Sequence, residues 1–165
     1  MVIFRLFLIL TFFVPLVLPL GACKADRADK SSIVQTAAYN RLIIHTVAGE
    51  KHPFNIEIAA TMKDMARGLM HRTEMAPDAG MLFYFGGQEA ERGFWMKNTL
   101  IPLDMIFIKA DGTIHHIHEN AIPHDLTRIL SRGPVAAVLE LNGGMSKKLG
   151  IGKGDKINHP VFTAK

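Results

Sequence analysis

Three sets of residues in this chain are of a type and spacing that can do chemistry. The first runs Gly93-Phe-Trp-Met-Lys-Asn-Thr-Leu-Ile-Pro-Leu-Asp104 and holds the only tryptophan. Trp95 beside Lys97, Asn98 and Asp104 offers one flat apolar wall and a few aimed hydrogen bonds, which suits a small-ligand or sugar site. The same residues also suit a structural role, with Trp95 as core anchor, Asn98 and Thr99 shaping the turn before Pro102, and Lys97 pairing Asp104. The second set is two carboxylates in apolar surroundings, Asp104 between Leu103 and Met105 and Glu140 between Leu139 and Leu141. A carboxyl so placed can have a raised pKa and serve general acid–base chemistry. Exposure at strand ends, or neutralisation by Arg67, Arg72, Arg92 or Lys97, would make both inert. The third is His115-His116-Ile117-His118. His116 and His118 would share a strand face and can share a metal, but two ligands do not complete a site.

These residues must be positioned by short β-like runs separated by Gly, Pro and Asp-Gly. The candidate strands are Leu42–Val47, Phe54–Ala59, Met81–Phe85, Phe94–Lys97, Leu103–Lys109, Ile114–Glu119 and Val135–Leu141, with Lys156–His159 as a last short one. Asp111-Gly112 predicts a two-residue hairpin turn, which sets Phe107 opposite His116, Met105 opposite His118 and Asp104 opposite Glu119. Met62, Met65, Ala66, Leu69 and Met70 fall on one helical stripe, with Thr61 as N-cap and Gly68 as a weak point. A second short helix is expected at Met145–Leu149. The fold class is therefore mainly β: a compact β-sandwich or barrel-like domain with one or two short helices. The methionines on the helical stripe and in the strands read as core filling rather than as copper ligands.

The N-terminus bounds location. Arg5 precedes an apolar run from Leu6 to Leu20 that ends in Leu20-Gly21-Ala22-Cys23. That is the pattern of a secretory signal, too short and too Pro-interrupted to span a bilayer. Cys23 is the only cysteine, sits where a lipoprotein signal places it, and excludes an internal disulfide. Residues 1–22 are thus expected to be cleaved, 23–40 to be a flexible tether, and 41–165 to form a single domain. The product would be exported and lipid-anchored on the periplasmic side of a bacterial membrane, or soluble there after cleavage nearby. A net charge of +4 with scattered basic residues is no nucleic-acid footprint. G-x-S-x-G, H-E-x-x-H and P-loop motifs are missing, and no cofactor is expected.

Several blocks identify a family. Arg67-Gly-Leu-Met-x-Arg72, Gly80-Met-Leu-Phe83, Trp95-Met-Lys-Asn-Thr99, Ile101-Pro-Leu-Asp-Met-Ile-Phe107, Leu139-Glu-Leu-Asn142 and Gly154-Asp155 resemble domain-of-unknown-function family 192 from about Leu42 to Lys156. The resemblance implies a compact, mainly β domain, often exported in bacteria, with no established activity. It includes the Trp95–Asp104 segment and Glu140 but not the histidine triplet. The expectation is a non-catalytic binding or accessory domain for a small polar or cell-envelope ligand. Trp95 would form the wall, with Arg67, Arg72, Lys97, Asn98, Asp104 and Glu140 supplying polarity. The alternatives are a hydrolase acting on envelope material, with Asp104 and Glu140 as acid and base, and a scaffold contacting other envelope proteins.

Overall fold

The computed structural model describes residues 40–163; the signal segment, Cys23 and most of the expected tether lie outside the described residues. Nine strands are described: β1 (Arg41–His45), β2 (Lys51–Ala59), β3 (Ala79–Tyr84), β4 (Gly93–Phe94), β5 (Leu103–Ile108), β6 (Ile114–Ala121), β7 (Ile129–Leu130), β8 (Ala137–Asn142) and β9 (Lys156–Asn158). Seven form one sheet in the order β6-β5-β8-β3-β2-β1-β9, and β4 pairs with β7 in a separate two-stranded ribbon. The large sheet curls into a half-barrel. Its two ends approach at the β5–β6 turn, where the Ile114 amide donates to the Asp155 carbonyl and the Ile157 amide to that of Gly112, both at 2.9 Å. The fold is mainly β, as the run lengths and turn residues predict.

The sheet is covered on both faces. The inner core takes side chains from all seven strands, among them Leu42, Phe54, Leu82, Ile106, Ile114, Leu139 and Ile157. The outer core contains Leu69, Met81, Phe83, Met96, Met105, Phe107 and Val138. It lies under α1 (Met62–Arg67), the β4–β7 ribbon and their loops. Central strands β5 and β8 are consequently buried almost throughout and read as continuous apolar runs rather than alternating ones. A charged residue inside such a run is forced toward one core or the other. Two further short helices, α2 (Met145–Lys148) and α3 (Pro160–Thr163), flank the inner core. No helix among the described residues is long and apolar enough to cross a membrane.

Strands β2 and β3 are parallel, and α1 lies in the crossover that such a pair requires. The Thr61 hydroxyl caps α1 by accepting from the Asp64 amide. The helix is shorter than its apolar stripe predicts because Gly68 takes φ +48° and ends it. Leu69 beyond that break is buried, whereas Met62 is exposed.

The β5–β6 hairpin corrects one expectation and keeps another. The Gly112 amide donates to the Lys109 carbonyl, and the Lys109 amide to the Thr113 carbonyl. This makes a three-residue loop with Gly112 at φ +79°, in place of a two-residue turn. The Asp111 carboxylate accepts from the Thr113 amide, which supports that geometry. A bulge then adds His115 to β6, so Phe107 still faces His116 and Met105 still faces His118. A second irregularity sets Leu103 opposite Ala121 and removes the expected Asp104–Glu119 pair.

Candidate functional site

Glu140 lies in mid-β8, with Met81 on β3 and Met105 on β5 as its register partners. Strand alternation turns Leu139 and Leu141 to the inner core and Glu140 to the outer one. The residue is 5% exposed. Its carboxyl has no hydrogen-bond or ion-pair partner among the described residues, and burial alone pushes its pKa up to about 8. At neutral pH it is therefore mainly an uncharged acid that can donate one hydrogen bond and accept others.

Glu140 reaches a cleft of about 380 Å³. Leu69, Phe83 and Phe94 give the cleft an apolar lining, Trp95 adds an aromatic wall, and Arg67, Arg92 and Arg128 bring cations to it. Phe94 meets Phe83 edge-on at 5.1 Å, which ties the β4–β7 ribbon to the main sheet. The Arg92 guanidinium lies over the Phe85 ring at 4.0 Å and donates to the Gln88 carbonyl, yet its Nε is buried without a partner. Arg128 crosses Gly93 so closely that a Cβ there would come within 2.5 Å of the guanidinium. Glycine at this position is what lets the arginine lie against the ribbon. The ion pairs among the described residues are Arg72–Glu57 and Lys156–Asp111, so none of the three cleft arginines is paired with a carboxylate.

The fold thus brings together Trp95, Arg67 and Glu140 from the expected set and disperses the rest. Arg72 makes two 2.6 Å bonds to Glu57, and these hold the Glu57 carboxyl below its ordinary pKa. The pair lines a neighbouring hollow that shares Arg67 and Gly68 with the cleft. Lys97 sits 5.6 Å from the Trp95 ring centroid but does not line the cleft. Asn98 serves a turn: it has φ +54°, and its carbonyl accepts from the His71 amide.

Asp104 is the main correction. It is fully buried on the opposite side of the sheet from Glu140, because its β8 register partner is Leu141 rather than Glu140. Its Oδ1 accepts from the Asn120 and Gly144 amides at 2.9 and 2.8 Å, and its Oδ2 from the Ser146 amide at 2.7 Å. It therefore clamps the second β6 irregularity to the start of α2. The acid–base pair expected of Asp104 and Glu140 is not formed, nor is a Lys97–Asp104 ion pair.

His116 and His118 do share a face, but His116 is stacked flat on Phe107 at 5.8 Å. Burial lowers its pKa, and nearby Arg132 lowers it further. No group of three or more His, Cys, Asp or Glu residues able to hold a metal occurs among the described residues.

Sequence reasoning missed Arg128 and the phenylalanine lining, and it treated Arg92 only as a neutralising cation. Arg92 carried a usable signal in its place directly before Gly93-Phe94-Trp95. Arg128 carried none, because only the β4–β7 pairing brings it to Gly93.

Comparison with known proteins supplies relatives but no activity. The model of domain-of-unknown-function family 192, described as "Uncharacterized ACR", matches residues 43–159. A crystal structure from Sinorhizobium meliloti 1021, of a protein provisionally described as a transcription regulator, is similar at 49% identity and a TM-score of 0.72. The match covers 73% of this chain and 93% of that one. A protein of unknown function from Novosphingobium aromaticivorans DSM 12444 is similar at 42% identity and a TM-score of 0.68, over 72% of this chain and 83% of that one. No curated protein matches the chain.

Proposed function

The chain belongs to domain-of-unknown-function family 192, and from that premise we propose that it is a non-catalytic binding domain whose cleft takes a small polar ligand of the cell envelope. The observation that carries this reading is Glu140. A carboxyl in an apolar core without a partner is costly to keep, and this one reaches an open cleft where a ligand can satisfy it. Catalysis by a carboxylate pair is disfavoured, because Asp104 is spent on three backbone amides across the sheet. Nucleic-acid binding is disfavoured for this chain as well. Its cleft arginines converge on a concavity rather than forming the exposed basic stripe that nucleic acid needs.

Trp95 lines the cleft and is the only tryptophan, so its fluorescence reports occupancy directly. A panel of monosaccharides, amino sugars and amino acids should contain compounds that change this signal and raise the melting temperature. Ala66→Phe, which adds bulk at an exposed lining position, should abolish both effects. Binding that survives this substitution would place the site elsewhere.

The same reading locates the domain on the periplasmic side of a membrane, anchored through Cys23, with the Leu20-Gly21-Ala22-Cys23 sequence as its support. Cys23→Ala should release the domain from membranes or leave the precursor uncut. Mass spectrometry that finds an unmodified Cys23 in the mature protein would refute the anchor.

A further inference from the structure

We propose that the cleft selects an oxyanion carried on a compact ring, gripped by Arg67, Arg92 and Arg128 while the Glu140 carboxyl donates to it from the base. This inference rests on the binding reading above and names the ligand class. Guanidinium groups present planar forks of N–H donors that match carboxylate and phosphate oxygens. Three of them border one cleft without a carboxylate contact. The Arg92 Nε is buried and unpartnered, so its donor is not spent within the fold. Within the rest of the lining, Leu69, Phe83, Phe94 and Trp95 suit the apolar faces of a ring.

Glu140 completes the argument through its protonation state. An ionised carboxylate at the base would repel an incoming anion, whereas a protonated one donates an O–H to it. The groups facing Glu140 from packed elements are Met81 and Phe83 on β3, Met105 on β5, Arg67 at the end of α1, and Glu91 and Arg92 before β4. Arg128 faces it from the segment before β7. Glu91 is the only other acid on the lining, and it is exposed. Anion binding should therefore weaken as Glu140 ionises, with Glu140 acting as a gate that closes toward alkaline pH.

Sugar acids, sugar phosphates and aromatic acids share this chemistry, so the test uses glucuronate, glucose 6-phosphate and benzoate against neutral glucose and benzyl alcohol. Binding is read by Trp95 fluorescence and calorimetry. At least one acid should bind about tenfold or more tightly than its neutral counterpart, and which acid binds identifies the source of the anion. Arg92→Gln should remove most of that preference. Raising the pH from about 6 to about 9 should weaken the acid by about tenfold or more. Glu140→Gln should still bind it but lose this pH dependence. Neutral compounds binding as well as the acids would overturn the anion inference and leave the binding reading standing. Acid binding that ignores Arg92→Gln would do the same. If neither acids nor neutral compounds bind, the anion inference falls; failure across the wider panel as well would remove the binding reading.

Discussion

Replacing Glu140 with glutamine should stabilise the protein, and the size of the gain should depend on pH. The Glu140 carboxyl titrates at about 8 in the fold, against an ordinary value of 4.5. Below 4.5 the group is protonated in both folded and unfolded chains and contributes no pH dependence. Between 4.5 and 8 the unfolded chain loses its proton while the folded one keeps it, so stability falls by ~1.4 kcal/mol per pH unit. Above 8 both states are ionised and the penalty is constant at ~5 kcal/mol. Glutamine has nearly the shape of the neutral acid and cannot ionise. The Glu140→Gln protein should therefore match the wild type near the acid end and exceed it by ~3 kcal/mol near pH 7. Urea denaturation of both proteins across this range measures the difference. A constant offset at every pH, or a variant that is less stable at neutral pH, would refute the claim that Glu140 is held uncharged.

Asp104→Asn should behave in the opposite way, because three backbone amides aim at its two oxygens. The amide turns a donor toward at least one of those N–H groups, and the loss should be ~3–5 kcal/mol in denaturant melts. Hydrogen exchange at the Ser146 or Gly144 amide should rise in the same variant. Gly68→Ala should cost ~1–3 kcal/mol, since φ +48° is strained for any side chain and a Cβ would lie 3.2 Å from the Phe83 ring. A Gly68→Ala protein melting within experimental error of the wild type would mean that the backbone relaxes there.

The parts of the fold legible in the sequence were those specified by local chemistry. The β5 and β8 runs, the Thr61 cap and the place of the Asp111-Gly112 turn, though not its length, each announce themselves within a few residues. Long-range geometry was hidden. The two-residue strand β7 has no periodicity to read, yet its pairing with β4 brings Arg128 to the cleft. The bulge at His115 made the expected Phe107–His116 pairing right for a reason the turn alone does not supply. Asp104 and Glu140 looked alike because each is an acid between two apolar neighbours. What separates them is a one-residue step in register, which sends Asp104 to backbone amides and Glu140 to the cleft. A single residue's flanks do not encode that step, because the period-two alternation acquires an inside and an outside only once both strands are paired.

The central claim is that an uncharged, partnerless carboxyl lies at the base of the cleft. The most direct measurement is the pH titration of glutamate carboxyl carbons by NMR, with the Glu140 signal assigned by its absence from the Glu140→Gln protein. The Glu140 carboxyl should titrate near 8. A Glu140 signal that titrates near the ordinary glutamate value of 4.5 would contradict that claim.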